Sequence, residues 1–355
     1  MLSVVHILSS LQVGGAERVT IALAQLQRQE GLDAQILCLG SDQDFLVETL
    51  QDIGIPLTVS EIGESRFKRY PQILKTLKKF DVVHIHSPRV LIYIAPLVPL
   101  FAEKKIIYTR HGVESLSSIK WKLLHKAMSP FVNYVTCVAQ SGYDVFKEKH
   151  NWNADKMVVI NNGVPVQDEF SLPEKLPIRF GSVGRMVELK GQPILLEAVK
   201  LLAEEFGDEA SSKFTLGFYG GGPLESQLHS EAADIQPGIV EFYGELTDVE
   251  QIYDGIDVLV VASQSEGLSM VIMEAMARAK PAIATDVGGN GNLVYDGKTG
   301  LLVPYGSAEA LADAMRKTIQ DLDLVKQYGV EARNMINENF SLLNAHRAYL
   351  KCYTA

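Results

Sequence analysis

Short unbroken apolar runs, each long enough for one strand, alternate along the whole chain with segments of helical period. In the first half LSVVHIL, AQILCLG, DVVHIH, KIIYT, YVTCVA and MVVIN are such runs; in the second they are IRFGSV, FTLGFYG, IVEFYG, DVLVVA, PAIAT and GLLV. A strand that is apolar throughout must be buried on both faces. That calls for parallel sheets covered by helices on each side. Both halves also open alike, as strand, glycine-bearing loop and helix, in VVHILSSLQVGGAERVTIALA and IRFGSVGRMVELKGQPILLEA. Between them NNGVPVQDEFSLPEKLP is proline-rich and aperiodic, as a linker would be. A length of 355 residues suits two domains at roughly 150 residues each. The expected fold is α/β, two doubly wound parallel-sheet domains of Rossmann-like type, spanning 1–168 and 169–340.

Composition narrows the class further. The chain is 47% hydrophobic and 21% charged, an ordinary globular balance that argues against disorder and coiled coil. Its three cysteines, Cys38, Cys137 and Cys352, form no close pair, which excludes a disulfide scaffold and fits a reducing compartment. MLSVVHILSS reads as a strand, not as a signal peptide. The longest uncharged apolar run, Val90 to Ala102, holds 13 residues and two prolines, too short to span a bilayer. A soluble, cytoplasmic protein is expected.

A net charge of −10 disfavours a nucleic-acid partner, but the charge is uneven. Residues 66–126 hold 13 basic and 3 acidic side chains, a local excess of +10. Such a region is either a set of solvated helix faces or a surface for an anionic acceptor or membrane. PQILKTLKK places Ile73, Leu74 and Leu77 on one helix face and Lys75, Lys78 and Lys79 elsewhere. Trp121, Leu123 and Leu124 stand among Lys120, Lys122 and Lys126, a mixture suited to a lipid–water interface.

In open parallel sheets, ligands bind beyond the carboxyl ends of the strands, where loops meet helix N-termini. Gly14 and Gly15 lie on such a loop after the first strand, where glycine permits close approach to a phosphate. Their spacing is not the dinucleotide fingerprint, and a plain turn is the simpler reading of the pair alone. In GRMVELKG, Gly184 precedes Arg185, and Lys190 follows five residues later. Two cations on a glycine-flanked loop can clamp a diphosphate, or can simply be solvated. The segment is not a Walker A loop, because it lacks the closing G-K-[ST]. In SEGLSMVIMEAM, Glu266 ends a loop and a helix is expected from Leu268 onward. That puts Glu274 about two turns along. Glu266 could be a mere cap or dipole partner. A carboxylate inside an apolar helix instead requires hydrogen-bonding partners, which sugar or ribose hydroxyls would supply.

Other ionisable groups are weaker candidates. His84 and His86 alternate on DVVHIHS, and are expected on opposite faces of the strand, unable to share a metal. Asp42/Asp44 and Asp321/Asp323 imitate a D-x-D metal motif but stand where acids serve as helix caps. No metal ligands are expected.

The ordered set GGAER, RHG, GRMVELKG, GGGPLESQL, EGLSMVIMEA, GG and DGKTGLLV resembles glycosyltransferase family 4, the group 1 retaining transferases of the GT-B fold. The resemblance implies two Rossmann-like domains facing across a cleft, with the last helix, 341–355, packing back on the first. It implies a nucleotide-sugar donor held mostly by the second domain, with no cofactor and no required metal. Arg185 and Lys190 then correspond to the diphosphate clamp, Glu274 to the ribose-binding acid, and Gly15 to a phosphate contact from the first domain. Glu266, with the amides of Gly267, Leu268, Ser269, Met270 and Val271, corresponds to the part facing the donor sugar. His111 in TRHG corresponds to the histidine near the reacting carbon, and Leu246 to a neighbour of the base. One departure is Asn292, where many members carry an acid three residues after the GG pair; this bears on donor preference.

The implied activity is retaining transfer of a hexose from a UDP-sugar, with GDP-sugar next, to a glycan or lipid-linked acceptor. Surface polysaccharide or glycolipid synthesis at the inner face of a bacterial membrane is the expected setting. With no secure carboxylate nucleophile, front-face attack is the expected route. The alternatives are a UDP-sugar epimerase on the same fold and a non-catalytic scaffold subunit. The second should have lost some of Arg185, Lys190, Glu266 and Glu274, all of which are present. A nicotinamide dehydrogenase is disfavoured by the missing fingerprint.

Overall fold

The computed structural model describes the chain except residues 13, 61–65, 112–117, 151 and 247, and the side chains of 66–68, 141, 149 and 150. It forms two compact units, residues 1–163 with 340–355, and residues 164–339.

The first unit is built on a seven-stranded parallel sheet. Its strands are β1 (Ser3–Leu8), β2 (Asp33–Cys38), β3 (Leu57–Val59), β4 (Val82–Ile85), β5 (Lys105–Arg110), β6 (Tyr134–Cys137) and β7 (Met157–Val159), in the order β3-β2-β1-β4-β5-β6-β7. The second unit carries β8 (Ile178–Val183), β9 (Phe214–Tyr219), β10 (Val240–Gly244), β11 (Val258–Val261), β12 (Ala282–Thr285) and β13 (Gly300–Val303), in the order β10-β9-β8-β11-β12-β13. Every pairing between these strands is parallel. The apolar runs become central strands because both of their faces are covered: Val4, Ile7, Val83 and Ile85 are all buried, as are Val258 to Val260. Each fully covered side chain of this kind contributes about 1.5–3 kcal/mol.

In both units the strand order reverses between the first and fourth strands, β1/β4 in one and β8/β11 in the other. The loops leaving those strands diverge to opposite sides and open a crevice, the place where such sheets take ligands.

The last helix, Leu342–Thr354, returns to the first sheet. Leu342, Ala345, Tyr349, Cys352 and Tyr353 bury against Val4, Leu23, Val82, Ile107 and Ile160. The short edge strand β3 has only three half-buried residues, so it leaves no apolar run in the sequence. One expectation needs correction. The helix after Glu266 starts at Met270, not Leu268, because Ser269 is still extended at φ −72°, ψ 109°. Glu274 therefore sits about one turn into the helix.

Candidate active site

At the β8/β11 switch point, Lys190 and Glu266 meet. Lys190 Nζ donates to Glu266 Oε1 at 2.7 Å, and Ser263 Oγ donates to the same oxygen at 2.7 Å. Ser182, Val183, Gln192, Val261 and Val271 line the small recess around them. The backbone brings the pair together by close packing. Gly191, the residue after Lys190, has φ +64°, and a Cβ there would fall 2.1 Å from the Ala262 carbonyl oxygen. Gly288 has φ +55°, and its Cβ would fall 1.8 Å from the Glu266 carbonyl oxygen. The 288–289 glycine pair is thus the seat of the Glu266 loop, which its sequence alone did not disclose.

Gly267 has open space around it, and Ser269 precedes the helix Met270–Ala277 without a side-chain cap. The dipole of that helix favours an anion at this end. Gly184, with φ +138°, leads to the exposed Arg185, which makes no ion pair among the described residues. Leu246 is half-buried in the loop after β10.

Glu274 is buried on the same helix, where Tyr253 OH donates to its Oε2 at 2.9 Å. The Arg278 guanidinium lies 5.3 Å from the centre of the Tyr253 ring and donates to the Glu274 carbonyl at 3.0 Å. Tyr253 and Arg278 are supports that sequence reading missed; an aromatic in DVEQIYD carries no motif signal.

At the other switch point, β1/β4, a cavity of about 150 Å³ is lined by Ser9, Ala16, Glu17, His86, Arg110 and His111. Gly14 precedes, and Gly15 begins, the helix Gly15–Gln29 that borders it. Burial raises the Glu17 carboxyl above its usual range, while burial, aided by Arg110, lowers His111 to about 4. Glu17 and Arg110 belong to motifs read from sequence, but neither had been given a role; Gly112 of RHG lies outside the described residues.

The histidine pair requires a correction. His84 and His86 share one face of the sheet, with ring centres 4.0 Å apart, because residues i and i+2 of a strand point the same way. His6 joins them, and one ligand atom from each of the three lies within 4.8 Å of the others. Their ring nitrogens already have protein partners. His6 meets Gln27 Oε1 at 2.7 Å and His86 at 2.9 Å; His86 meets His111 at 3.0 Å; His84 meets Tyr353 OH at 2.8 Å and Thr109 at 2.6 Å. The aspartate pairs do local structural work. Asp44 accepts from the Leu11 backbone and the Gln12 amide, both at 2.7 Å, and Asp321 accepts from Leu324 N at 2.9 Å.

Two doubly wound units, one with a cation–carboxylate pair at the foot of a helix, are the frame of a transferase of the GT-B fold. The chain belongs to the family 4, or group 1, glycosyltransferases. Residues 13–168 match the model "Glycosyltransferase Family 4" and residues 177–321 match "Glycosyl transferases group 1". It is similar to the Escherichia coli UDP-Gal:alpha-D-GlcNAc-diphosphoundecaprenol alpha-1,3-galactosyltransferase, with 24% identity over 96% of this chain and 94% of that one. With the Mycobacterium leprae phosphatidyl-myo-inositol mannosyltransferase it shares 27% identity over 90% of this chain and 88% of the other. In fold it is similar to Anabaena HepE, solved with UDP and glucose, at TM-score 0.80 and 19% identity over 100% of both chains. The protein is a glycosyltransferase.

Proposed function

We propose that the protein is a retaining glycosyltransferase that moves a hexose from a UDP-sugar to a lipid-linked or glycan acceptor in bacterial glycolipid or polysaccharide synthesis. The observation that carries this reading is the Lys190–Glu266 pair beside the start of the helix Met270–Ala277. Lys190 has three protons and spends one on Glu266, leaving two for a diphosphate. Arg185 is exposed on the same loop and supplies a second cation. Together with the helix N–H groups they meet the charge of the departing UDP, an electrostatic task worth several kcal/mol at the transition state. That supply of positive charge is why no divalent metal is required. Glu266 and the Gly267–Val271 amides take the sugar, Glu274 the ribose, and Leu246 flanks the base. His111 receives a sugar hydroxyl, and attack proceeds on the face the diphosphate leaves. UDP is favoured over GDP by the relatives' donors.

The acceptor is proposed to be presented at a membrane. On the helix Ile119–Met128, Ile119 is 73% and Leu123 62% exposed beside exposed Lys120, Lys122 and Lys126. Apolar side chains in water next to three lysines suit an anionic lipid surface. No helix among the described residues is long and apolar enough to cross a membrane; the contact is proposed to be peripheral, at the cytoplasmic face.

The test is UDP release from UDP-glucose, UDP-galactose and UDP-GlcNAc, and GDP release from GDP-mannose, with and without a polyprenyl-diphosphate sugar. Acceptor-dependent release, with an α-linked product by NMR, is expected. Conversion of the donor without acceptor would instead establish an epimerase.

A further inference from the structure

His6, His84, His86 and His111 of the first unit lie on one hydrogen-bonded line with a direction. His6, His84 and His86 are nearly or wholly buried; burial lowers His6 to about 4 and holds His84 and His86 well below the usual imidazole range. All are therefore neutral near pH 7, and a neutral imidazole has one donor and one acceptor nitrogen.

Gln27, on the helix Gly15–Gln29, turns its carbonyl oxygen to His6 and its NH2 to Tyr353 OH, at 2.7 and 3.3 Å. The carbonyl can only accept, so His6 carries its proton on Nε2 and its Nδ1 must accept. His86 Nε2 lies 2.9 Å from that Nδ1 and donates to it. His86 Nδ1 is then the acceptor. Thr20 is near it at 3.2 Å, but its hydroxyl proton goes to the Ala16 carbonyl at 2.7 Å. The remaining donor is His111 Nε2, at 3.0 Å. His111 Nδ1 is left as a bare lone pair, buried and without a hydrogen-bond partner among the described residues. On the other side, Tyr353 donates to His84, His84 Nε2 to Thr109, and Thr109 to Thr136, at 2.8, 2.6 and 2.5 Å.

We propose that Gln27 is a positioning residue which, through His6 and His86, fixes His111 as the Nε2–H tautomer and presents Nδ1 to the first-unit cavity as an acceptor. The polarity hangs on the Gln27 amide. Turning it over reverses each proton along the line and gives His111 an Nδ1–H. An orphaned buried N–H is rarer and costlier than an under-used acceptor, which favours the observed direction. His6, His84 and His86 could also be read as three metal ligands. However, both ring nitrogens of each are spent on protein groups, and His84 and His86 stack instead of converging on a point. The functional consequence rests on the proposed role of His111. A ligand group meeting it must donate a proton, so a sugar hydroxyl is accepted and a phosphate oxygen is not.

The experiment is long-range 1H–15N NMR of the full-length protein labelled at histidine, at pH 7. His111, His86 and His6 are expected as Nε2–H tautomers. Gln27→Leu should convert His111 to a mixture. Gln27→Glu, whose carboxylate still accepts from His6, should restore the original tautomer. If Gln27→Leu does not fold, Tyr353→Phe removes the second anchor of the amide and should produce the same mixture. A wild-type His111 that is Nδ1–H, charged or metal-bound overturns the proposal, as does an unchanged spectrum in a folded Gln27→Leu or Tyr353→Phe protein. Activity is read separately. About a twofold fall in kcat at unchanged UDP affinity is expected where the tautomer is evenly mixed. A mixed tautomer with full activity would support the relay and overturn the assigned role of His111.

Discussion

Lys190 Nζ stands 2.7 Å from Glu266 Oε1, and the two come from loops on neighbouring strands, β8 and β11. Lys190 is 30% and Glu266 11% exposed, so the pair is only partly screened by water. Neither residue is a spectator of the other. The carboxylate holds the ammonium at the switch point, and the ammonium holds the carboxylate against Ser263.

The first prediction removes one partner. Lys190→Ala and Arg185→Ala should each weaken UDP binding by about 10- to 150-fold, the effect of a charge-assisted contact of about 1.5–3 kcal/mol. Uridine affinity should stay within about twofold, since the nucleoside has no diphosphate. Titration calorimetry with both ligands decides it; equal losses would mean the loop serves only the fold. Glu266→Gln keeps the shape and frees the lysine, so UDP affinity should hold while transfer falls.

Chelation tests the source of positive charge. With Arg185 and Lys190 intact, turnover should persist in EDTA. Loss of turnover that magnesium or manganese restores would overturn the clamp.

The glycine seat gives a matched pair of variants. Gly288→Ala puts a Cβ 1.8 Å from the Glu266 carbonyl oxygen at a positive φ, and should destabilise by about 2 kcal/mol or more. Gly267→Ala meets nothing within 4 Å and should leave stability within about 0.5 kcal/mol. If Gly267 admits a phosphate to its backbone, the same variant should nevertheless weaken UDP binding. Denaturant melts with and without UDP separate the two effects.

The fold was readable because buried parallel strands leave long apolar runs, and the glycine loops after β1, β8 and β11 mark their carboxyl ends. What escaped reading depended on contacts between distant segments. His6 and His84 are register partners on β1 and β4, and Tyr353 reaches His84 from the last helix. Nothing in HILSS or DVVHIHS tells that these strands are neighbours. The shared face of His84 and His86, by contrast, follows from strand geometry alone. Likewise the Lys190–Glu266 contact spans 76 positions, so the sequence could nominate each residue without pairing them.

The last prediction concerns pH. Burial lowers His6 and His111 to about 4 and holds His84 and His86 well below the usual range; His346 is lowered as well. In the unfolded chain these rings return to about 6.5. Between those values the unfolded state binds more protons than the native one, so stability must rise with pH. The contribution is fully present above about pH 6.5 and is lost as pH falls toward 4, at up to about 1.4 kcal/mol per pH unit for each ring. Urea melts between pH 7.5 and 4.5 should therefore show stability falling steeply below pH 6.5. His84→Gln should flatten that slope, because one buried ring no longer titrates on unfolding. A wild-type stability that is level from pH 7 to 5 would mean that these rings are not held neutral in the native protein.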